Sequence, residues 1–190
     1  MADTESVADF EREALPHLDA VYGFARVLTR DDHAAEDLAQ ETFVRALEHW
    51  SQFQPGTNCR AWLFTICRNH WYRAGARARR EAPTDTPELE EYASAALTAG
   101  RLQDFGGETF FDAPDLPDVL RREMLALPEE FREAVALVDL QDQSYESAAA
   151  VLGVKVGTVK SRLFRGRRML QERLIAWAED AGLRPVRGTP

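Results

Sequence analysis

The sequence predicts an all-α fold of two small helical domains joined by an acidic linker. Three observations predict it: apolar residues recur every three to four positions on both sides of a central segment, that segment concentrates proline, glycine and acid, and no alternating apolar and polar run indicates a sheet. The chain has 190 residues, enough for two such domains. We predict an N-terminal domain at residues 1–80, a linker at 81–118, a C-terminal domain at 119–178 and a tail at 179–190.

The N-terminal domain is predicted to contain three helical stretches. The first begins near Val7, and the second follows Asp31 or Asp32, either of which can cap it. A Pro-Gly turn at 55–56 separates the second stretch from the third, which runs from Cys59 into a series of arginines. The apolar stripe of the second helix is predicted to consist of Ala35, Leu38, Ala39, Thr42, Phe43, Ala46 and Leu47.

The C-terminal domain has the punctuation of a helix-turn-helix. Pro128 suits the first turn of the helix that follows it. A short helix from Tyr145 to Leu152 is predicted behind a Ser144 cap, and Gly153 supplies the positive φ of the turn. A basic helix is predicted to begin at about Thr158.

Charge is unevenly distributed along the chain, whose formal net charge is -9. Residues 60–80 carry six basic and no acidic side chains, and residues 153–174 carry seven basic and one acidic. The linker carries one basic and ten acidic side chains. Because polyanion binding depends on local patches rather than on total charge, the two basic segments are candidate nucleic-acid surfaces, although a solvated basic face has the same composition.

The basic helix of the C-terminal domain is predicted to have two faces. Val159, Leu163 and Leu170 fall on one side and are expected to face the core. Hydroxyls, cations and one aromatic ring form or flank the other side, where they can contact phosphates, base edges and thymine methyl groups in a major groove. The candidate DNA contacts are Thr158, Lys160, Ser161, Arg162, Phe164, Arg165 and Arg168.

Other classes of protein are disfavoured. No apolar run is long enough to span a membrane and the first residues do not resemble a signal peptide, so we expect a cytoplasmic protein without membrane insertion. Cys59, Cys67 and His70 invite a zinc site, but no second ligand pair is present, and we predict no metal and no other cofactor. No P-loop, nucleophile elbow or zinc-deaminase spacing occurs, so we do not expect an enzyme.

Two long stretches resemble regions of bacterial sigma-70 family factors. The resemblance to region 2 lies in DHAAEDLAQETFVRALEHWSQFQPGTNCRAWLFTICRNHWYRAGARARR. The resemblance to region 4 lies in LPEEFREAVALVDLQDQSYESAAAVLGVKVGTVKSRLFRGRRML. With no room for further domains, the chain resembles the extracytoplasmic function (ECF) group. This resemblance implies binding to the β' clamp and β flap of core RNA polymerase, promoter recognition at minus-10 and minus-35, and restraint by an anti-sigma factor.

The resemblance also implies roles for residues of the N-terminal domain. Melting a duplex requires cations for the backbone and aromatic faces for unstacked bases, and both occur here. The candidate minus-10 contacts are Phe53, Arg60, Trp62, Phe64, Arg68, Asn69 and Arg73. The candidate polymerase contacts, on the second helix, are Asp37, Gln40, Glu41 and Arg45. Core packing explains Trp62 equally well, and a plain amphipathic helix explains the second set equally well.

Two questions remain open, one about the function of the whole chain and one about the role of the linker. A stand-alone helix-turn-helix regulator would use the same basic helix, usually as a dimer on paired half-sites. The acidic linker either enters a positively charged channel of the polymerase, as the resemblance implies, or acts as a solubilising spacer.

Overall fold

The computed structural model describes residues 2–79 and 116–183. All regular elements within these two ranges are helical, which confirms the all-α fold. Most of the predicted acidic linker, 81–115, lies outside the described residues. No helix in the described part of the chain has the length and apolarity needed to cross a membrane.

The N-terminal domain contains α1 (Ala2–Ala14), α2 (Leu18–Thr29), α3 (Asp32–Glu48) and α4 (Cys59–Arg79). The helical pattern expected from Val7 onward is interrupted by a 3-10 turn at Leu15–His17. Pro16 explains the interruption, because it has no backbone N–H to continue the helix. Asp31, rather than Asp32, caps α3, and its carboxylate accepts a hydrogen bond of 2.8 Å from the Ala34 backbone.

The C-terminal domain contains α5 (Leu116–Leu125), α6 (Glu129–Val135), α7 (Tyr145–Leu152) and α8 (Val156–Asp180). Helix α5 thus begins inside the segment predicted as linker, and α8 ends inside the predicted tail. Pro128 is the cap of α6 rather than a residue of its first turn, and its carbonyl accepts from the backbone of Phe131 and Arg132.

A π-helical turn at Ala136–Leu140 follows α6 and redirects the chain. Asp142 then adopts a positive φ of 49°, and the Gln143 backbone donates to the Leu137 carbonyl at 2.9 Å. This irregular connection places Gln141 and Gln143 on the side of the domain that meets the N-terminal domain.

The two domains pack against each other. Helix α4 lies against α7, and α2 lies against α6. Buried apolar residues of both domains form one continuous core, with Phe24, Leu63 and Phe64 on the N-terminal side and Leu127, Leu137 and Val159 on the C-terminal side. The interface also buries two charged residues of α6, Arg132 and Glu133, each 1% exposed.

Candidate nucleic-acid and polymerase interfaces

The helix-turn-helix is formed as the sequence predicts. The Ser144 hydroxyl caps α7 by accepting from the Ser147 backbone at 3.1 Å, and Gly153 ends it with a φ of 67°. Helix α8 begins at Val156, two residues before the predicted start at Thr158. Val159 and Leu163 are buried as expected, and Leu170 is partly buried against the core.

The predicted DNA face of α8 contains both exposed and partly exposed side chains. Lys160, Ser161 and Phe164 are exposed, and the Phe164 side chain is 48% exposed although it is large and apolar. Thr158 and Arg165 are partly exposed beside them. An ammonium group, a hydroxyl and an aromatic ring on one accessible helix face can contact phosphates, base edges and thymine methyl groups.

Three arginines of α8 are engaged by neighbouring carboxylates. Arg162 pairs with Glu130 of α6 at 3.0 Å, and Arg168 lies 2.9 Å from Glu172 on its own helix. Arg167, which sequence reasoning left out, is exposed and pairs with Asp139 of the π-helical turn. Arg162 and Arg168 are thus paired with carboxylates in this structure, which helical spacing alone does not reveal, and their assignment to the DNA face stays a prediction.

Two of the predicted minus-10 aromatic residues are core residues. Phe64 is fully buried, and its ring centroid lies 5.1 Å from that of Phe24. Phe53 is 7% exposed and stacks on Trp50 at 4.7 Å. Both rings are buried within their own domain in this structure, and their minus-10 roles stay predictions. The reason for the burial is the apolar area that an aromatic cluster removes from water.

Trp62 takes part in the same aromatic cluster but keeps part of its surface. Its ring centroid lies 5.4 Å from that of Phe53 and 5.8 Å from that of Trp50, and its side chain is partly exposed. Farther along α4, Asn69 and Arg73 are exposed to solvent. These three side chains remain available to a DNA strand along one helix.

The other two predicted minus-10 contacts, Arg60 and Arg68, are bonded to the C-terminal domain. Arg60 Nη2 donates to Gln141 Oε1 at 2.5 Å, and Arg68 Nε donates to Glu133 Oε2 at 3.2 Å. The guanidinium of Arg68 also lies over the Tyr72 ring, 4.5 Å from its centroid.

Asn58 and Tyr72, which the sequence prediction did not include, extend these contacts between the domains. Asn58 caps α4 by accepting from the Ala61 backbone, and its amide donates to Gln143 at 3.1 Å and to Ser147 at 3.2 Å. The Tyr72 hydroxyl donates to Glu133 at 2.7 Å and also contacts Glu129. In the sequence, Asn58 after the Pro55-Gly56 turn indicates a helix cap. No sequence pattern indicates that Asn58 contacts the other domain.

The Glu133 carboxylate has an unusual environment for a charged group. Burial raises its pKa above the ordinary glutamate range, and the nearby Arg68 guanidinium and the Tyr72 hydroxyl oppose that change. Burial and the hydrogen bond to Glu129 raise the pKa of Tyr72, so its hydroxyl remains a proton donor. Two side chains of the N-terminal domain, Arg68 and Tyr72, therefore bind the buried Glu133 carboxylate of the C-terminal domain.

The polymerase-binding candidates on α3 form an exposed face. Asp37 and Gln40 are exposed, and Glu41 pairs with Arg45 at 2.8 Å across one helical turn. Two apolar residues share this region of α3: Val44 is 52% exposed and Leu47 is 44% exposed. Leu47 of the predicted apolar stripe is therefore exposed, whereas Ala35, Leu38, Ala39, Thr42 and Ala46 of that stripe are buried. Exposed apolar residues with a polar rim are typical of a protein interface.

The cysteines lie within the core of the N-terminal domain. Burial raises the pKa of Cys59 to about 11 and that of Cys67 to about 12, so both thiols are protonated near neutral pH. In the described parts of the chain, no three histidine, cysteine or acidic side chains are grouped closely enough to hold a metal ion.

Comparison with known proteins identifies both domains. The family model for sigma-70 region 2 matches residues 15–81, and the model for sigma-70 region 4 matches residues 118–170. The ECF RNA polymerase sigma factor EcfG of Rhodopseudomonas palustris is 40% identical over 181 residues, which cover 94% of this chain and 91% of that protein. The ECF sigma factor SigE of Mycolicibacterium smegmatis is 37% identical over 181 residues, covering 94% of this chain and 66% of that protein.

A solved structure shares the fold over most of the chain. The sigma factor RpoE of Bartonella quintana, in complex with the anti-sigma factor NepR, superposes with a TM-score of 0.64 at 34% identity. The match covers 87% of this chain and 96% of that one. With two family models in the order that the helical domains follow, and relatives similar over nearly the full length, the chain belongs to the ECF group of sigma-70 family RNA polymerase sigma factors.

Proposed function

We propose that this chain directs RNA polymerase to promoters by using three separate helix faces. Helix α3 binds the polymerase clamp, α4 binds the minus-10 strand, and the exposed face of α8 reads the minus-35 duplex. The observation that carries the proposal is the accessible face of Lys160, Ser161 and Phe164 on the second helix of a helix-turn-helix. Polymerisation itself belongs to the core enzyme, and the chain acts with it in the cytoplasm.

Helix α8 is suited to the minus-35 role because its opposite face is fixed. Gly166 brings α8 so close to α6 that an added Cβ would lie 2.7 Å from Val135 Cγ2. Rigid docking of the helix holds the exposed side chains at defined spacing, as direct readout in a major groove requires. The β flap is the polymerase element that we propose for this domain, following the family resemblance.

Helix α4 is suited to the minus-10 role because it exposes a cation, Arg73, and an amide, Asn69. Arg73 can neutralise backbone phosphates, and the Asn69 amide can both donate to and accept from a base edge. Trp62 supplies the partly exposed aromatic face, and stacking on such a face tolerates any base. Arg60 and Arg68 join this surface when they are released from the C-terminal domain.

Helix α3 is suited to binding a protein partner. Asp37, Gln40 and the Glu41–Arg45 pair provide the polar rim, and Val44 supplies exposed apolar surface beside it. Replacing Asp37 and Gln40 by alanine is expected to weaken core binding in a pull-down assay. Glu11→Ala, which removes an exposed carboxylate from α1, is the control and is expected to have no effect.

We also propose that an anti-sigma factor restrains this chain, as NepR is bound to the similar RpoE of Bartonella quintana. Titrating a candidate anti-sigma factor into a transcription reaction is expected to abolish promoter-specific transcripts at a one-to-one ratio with the chain.

Run-off transcription tests the central proposal. The purified chain and bacterial core polymerase are supplied with a library of promoter fragments, and core alone is the control. Specific transcripts are expected only with the chain, and they should disappear when Lys160 and Phe164 are both replaced by alanine. Arg121→Ala, which removes an exposed cation from α5, should leave them intact. A chain that protects a duplex site but does not redirect core is instead a stand-alone regulator.

A further inference from the structure

We propose that Lys160 is an acylation site, at which an acyl phosphate or an acyl thioester transfers its acyl group and thereby removes a cation from the DNA-reading face of α8. Lys155 is acylated as well, but without an effect on DNA binding. The inference rests on the proposed function in one respect, because it takes the exposed face of α8 as a DNA-binding surface.

Side-chain amines are confined to one short segment of the chain. Of its 23 basic residues 21 are arginines, and the two lysines are Lys155 and Lys160. A guanidinium stays protonated in proteins, whereas a lysine amine can be acylated and then loses its charge. A reaction specific for side-chain amines therefore acts only at the start of α8.

Both amines are accessible to a reagent in solution. The side chains of Lys155 and Lys160 are exposed. Lys155 is the N-cap residue of α8, but its side chain takes no part in the cap. Lys160 lies on the exposed face of the helix, with its Nζ atom 5.5 Å from the centroid of the Tyr145 ring. Neither amine has to be uncovered before it reacts.

The lysines differ from nearby arginines in their ionic contacts. Arg162 and Arg167 are paired with carboxylates of neighbouring elements. Among the residues that the structure describes, no carboxylate forms an ion pair with Lys155 or Lys160. The Lys160 ammonium is thus a cation of α8 that can meet a phosphate without first leaving a carboxylate.

The reaction needs only the amine and the activated acyl donor. The ammonium group gives one proton to water, and the neutral Nζ atom attacks the carbonyl carbon of the donor. A C–N bond forms, and the C–O bond of the acyl phosphate or the C–S bond of the thioester breaks. Phosphate or thiolate leaves with the bonding electron pair, and the second proton lost from nitrogen goes to water. The product is a neutral amide.

Acylation of Lys160 removes what a phosphate recognises. The ammonium has a full charge and three donors, whereas the amide is neutral and has one N–H. The added acyl group also lengthens a side chain that lies beside Ser161 and Phe164 on the exposed face. Loss of one phosphate contact lowers the slope of log affinity against log salt concentration by about 0.9.

The fold tolerates the loss of both charges. Lys155 lies at the N-terminus of α8, where the helix dipole disfavours a cation. The opposite face of the helix is held by Val159 and Leu163, which are buried. We therefore expect the acylated chain to unfold at the same temperature as the untreated chain or at a slightly higher one.

The test treats the full chain with acetyl phosphate in one arm and with acetyl-CoA in the other. Peptide mass spectrometry locates the acetyl groups. After the reagent is removed, fluorescence anisotropy measures binding of a labelled random-sequence duplex at several salt concentrations. Binding is measured for the chain alone and for the chain with untreated core polymerase, with core alone as the baseline. Thermal unfolding of the treated chain is measured in parallel.

Two variants separate the lysines. Lys160→Arg keeps a cation but has no amine at that position, and Lys155→Arg is the matched control. Each is compared with itself before and after treatment. Treatment is expected to weaken duplex binding and to lower the salt slope by about 0.9 in the wild type and in Lys155→Arg. Binding by Lys160→Arg should not change on treatment.

The inference is overturned if neither donor acetylates Lys160, or if the acetylated wild type binds duplex as tightly as before. An equal loss in Lys160→Arg, or a loss that accompanies unfolding, also overturns it. So does a chain that binds no duplex with or without core. Acetylation in one arm only identifies the class of donor.

Run-off transcription with the untreated chain tests the sigma role separately. A chain that fails to redirect core, but whose own duplex binding falls on acetylation of Lys160, would remove the proposed function and leave the acylation site in place.

Discussion

Gly166 and Gly157 lie on the same helix, but only at Gly166 would an added side chain meet neighbouring atoms. At Gly166 an added Cβ would lie 2.7 Å from Val135 and 3.2 Å from the Phe131 carbonyl, whereas at Gly157 nothing lies within 4 Å. The close contact at Gly166 includes backbone, which cannot move aside as a flexible side chain can. Only the structure distinguishes the two positions.

Gly166→Ala is therefore expected to destabilise the chain by about 1–3 kcal/mol through overpacking. Gly157→Ala, the control, is expected to be neutral or to stabilise α8 by up to about 1 kcal/mol. Urea unfolding of both variants and the wild type checks this, and equal effects of the two substitutions would contradict it.

Tyr72 stabilises the interface between the two domains through its hydroxyl. Tyr72→Phe leaves the buried Glu133 carboxylate with one donor fewer, and the expected cost is about 1–3 kcal/mol in the free energy of unfolding. Tyr22→Phe is the control, because it removes a tyrosine hydroxyl from a partly buried ring on α2 that lies beside Arg26. A loss of the same size in both variants would show that the contact to Glu133 contributes nothing specific.

At the scale of the element, the turn between α7 and α8 determines where the DNA-reading helix points. Gly153 holds a φ of 67°, and its backbone N–H donates to carbonyls at the end of α7. A residue with a Cβ is strained in this left-handed region, and asparagine tolerates it best among the residues that have one.

Gly153→Ala is expected to lower the free energy of unfolding by about 1–2 kcal/mol, and Gly153→Asn by clearly less. Thermal unfolding of the two variants measures the difference. An alanine variant as stable as the asparagine variant would mean that the turn relaxes to another conformation.

We expect substitutions of two cations on α8, Lys160 and Arg162, to affect DNA binding differently. Lys160 is exposed on the DNA face, whereas Arg162 is directed to Glu130. Lys160→Ala is expected to weaken binding to a minus-35 duplex. It should also reduce the slope of log affinity against log salt concentration by about the amount that corresponds to one phosphate contact. Arg162→Ala is expected to change the salt dependence little, and a competition assay at several salt concentrations compares the two. A larger loss for Arg162→Ala would mean that the pair to Glu130 breaks on binding.

At the scale of the whole molecule, the packing of the two domains is sensitive to pH through Glu133. Because burial raises the pKa of this carboxyl in the folded chain, the folded state binds more protons than the unfolded state above the usual glutamate value. The free energy of unfolding contributed by this group is therefore present below that value and is lost as pH rises through the raised pKa. The pH range over which this contribution is lost depends on three ionisable neighbours of Glu133, which are Arg68, Tyr72 and Glu129.

Glu133→Gln should remove this contribution while keeping the shape of the side chain. The difference in the free energy of unfolding between wild type and Glu133→Gln is expected to change in favour of the variant as pH rises from the usual glutamate pKa toward neutrality. Urea unfolding at a series of pH values measures it, and each unit of pKa difference corresponds to about 1.4 kcal/mol. A difference that does not vary with pH would contradict the prediction.

The sequence by itself determined the helical class, the helix-turn-helix and the chain order of the two basic segments. Apolar spacing, the Ser144 cap and Gly153 are local signals, because helix ends and turns depend on residues within a few positions of each other. The family resemblance rested on the same local patterns.

Only the tertiary structure decided which aromatic rings are free and which cations are paired. Phe53 and Phe64 have the composition of a stacking surface, yet the aromatic cluster and the core bury them. Arg60 and Arg68 lie on a basic helix, yet Gln141 and Glu133, more than 60 residues away in the sequence, bind them. The physical reason is that burial and ion pairing depend on neighbours brought together by packing, and no local pattern of the sequence specifies those neighbours.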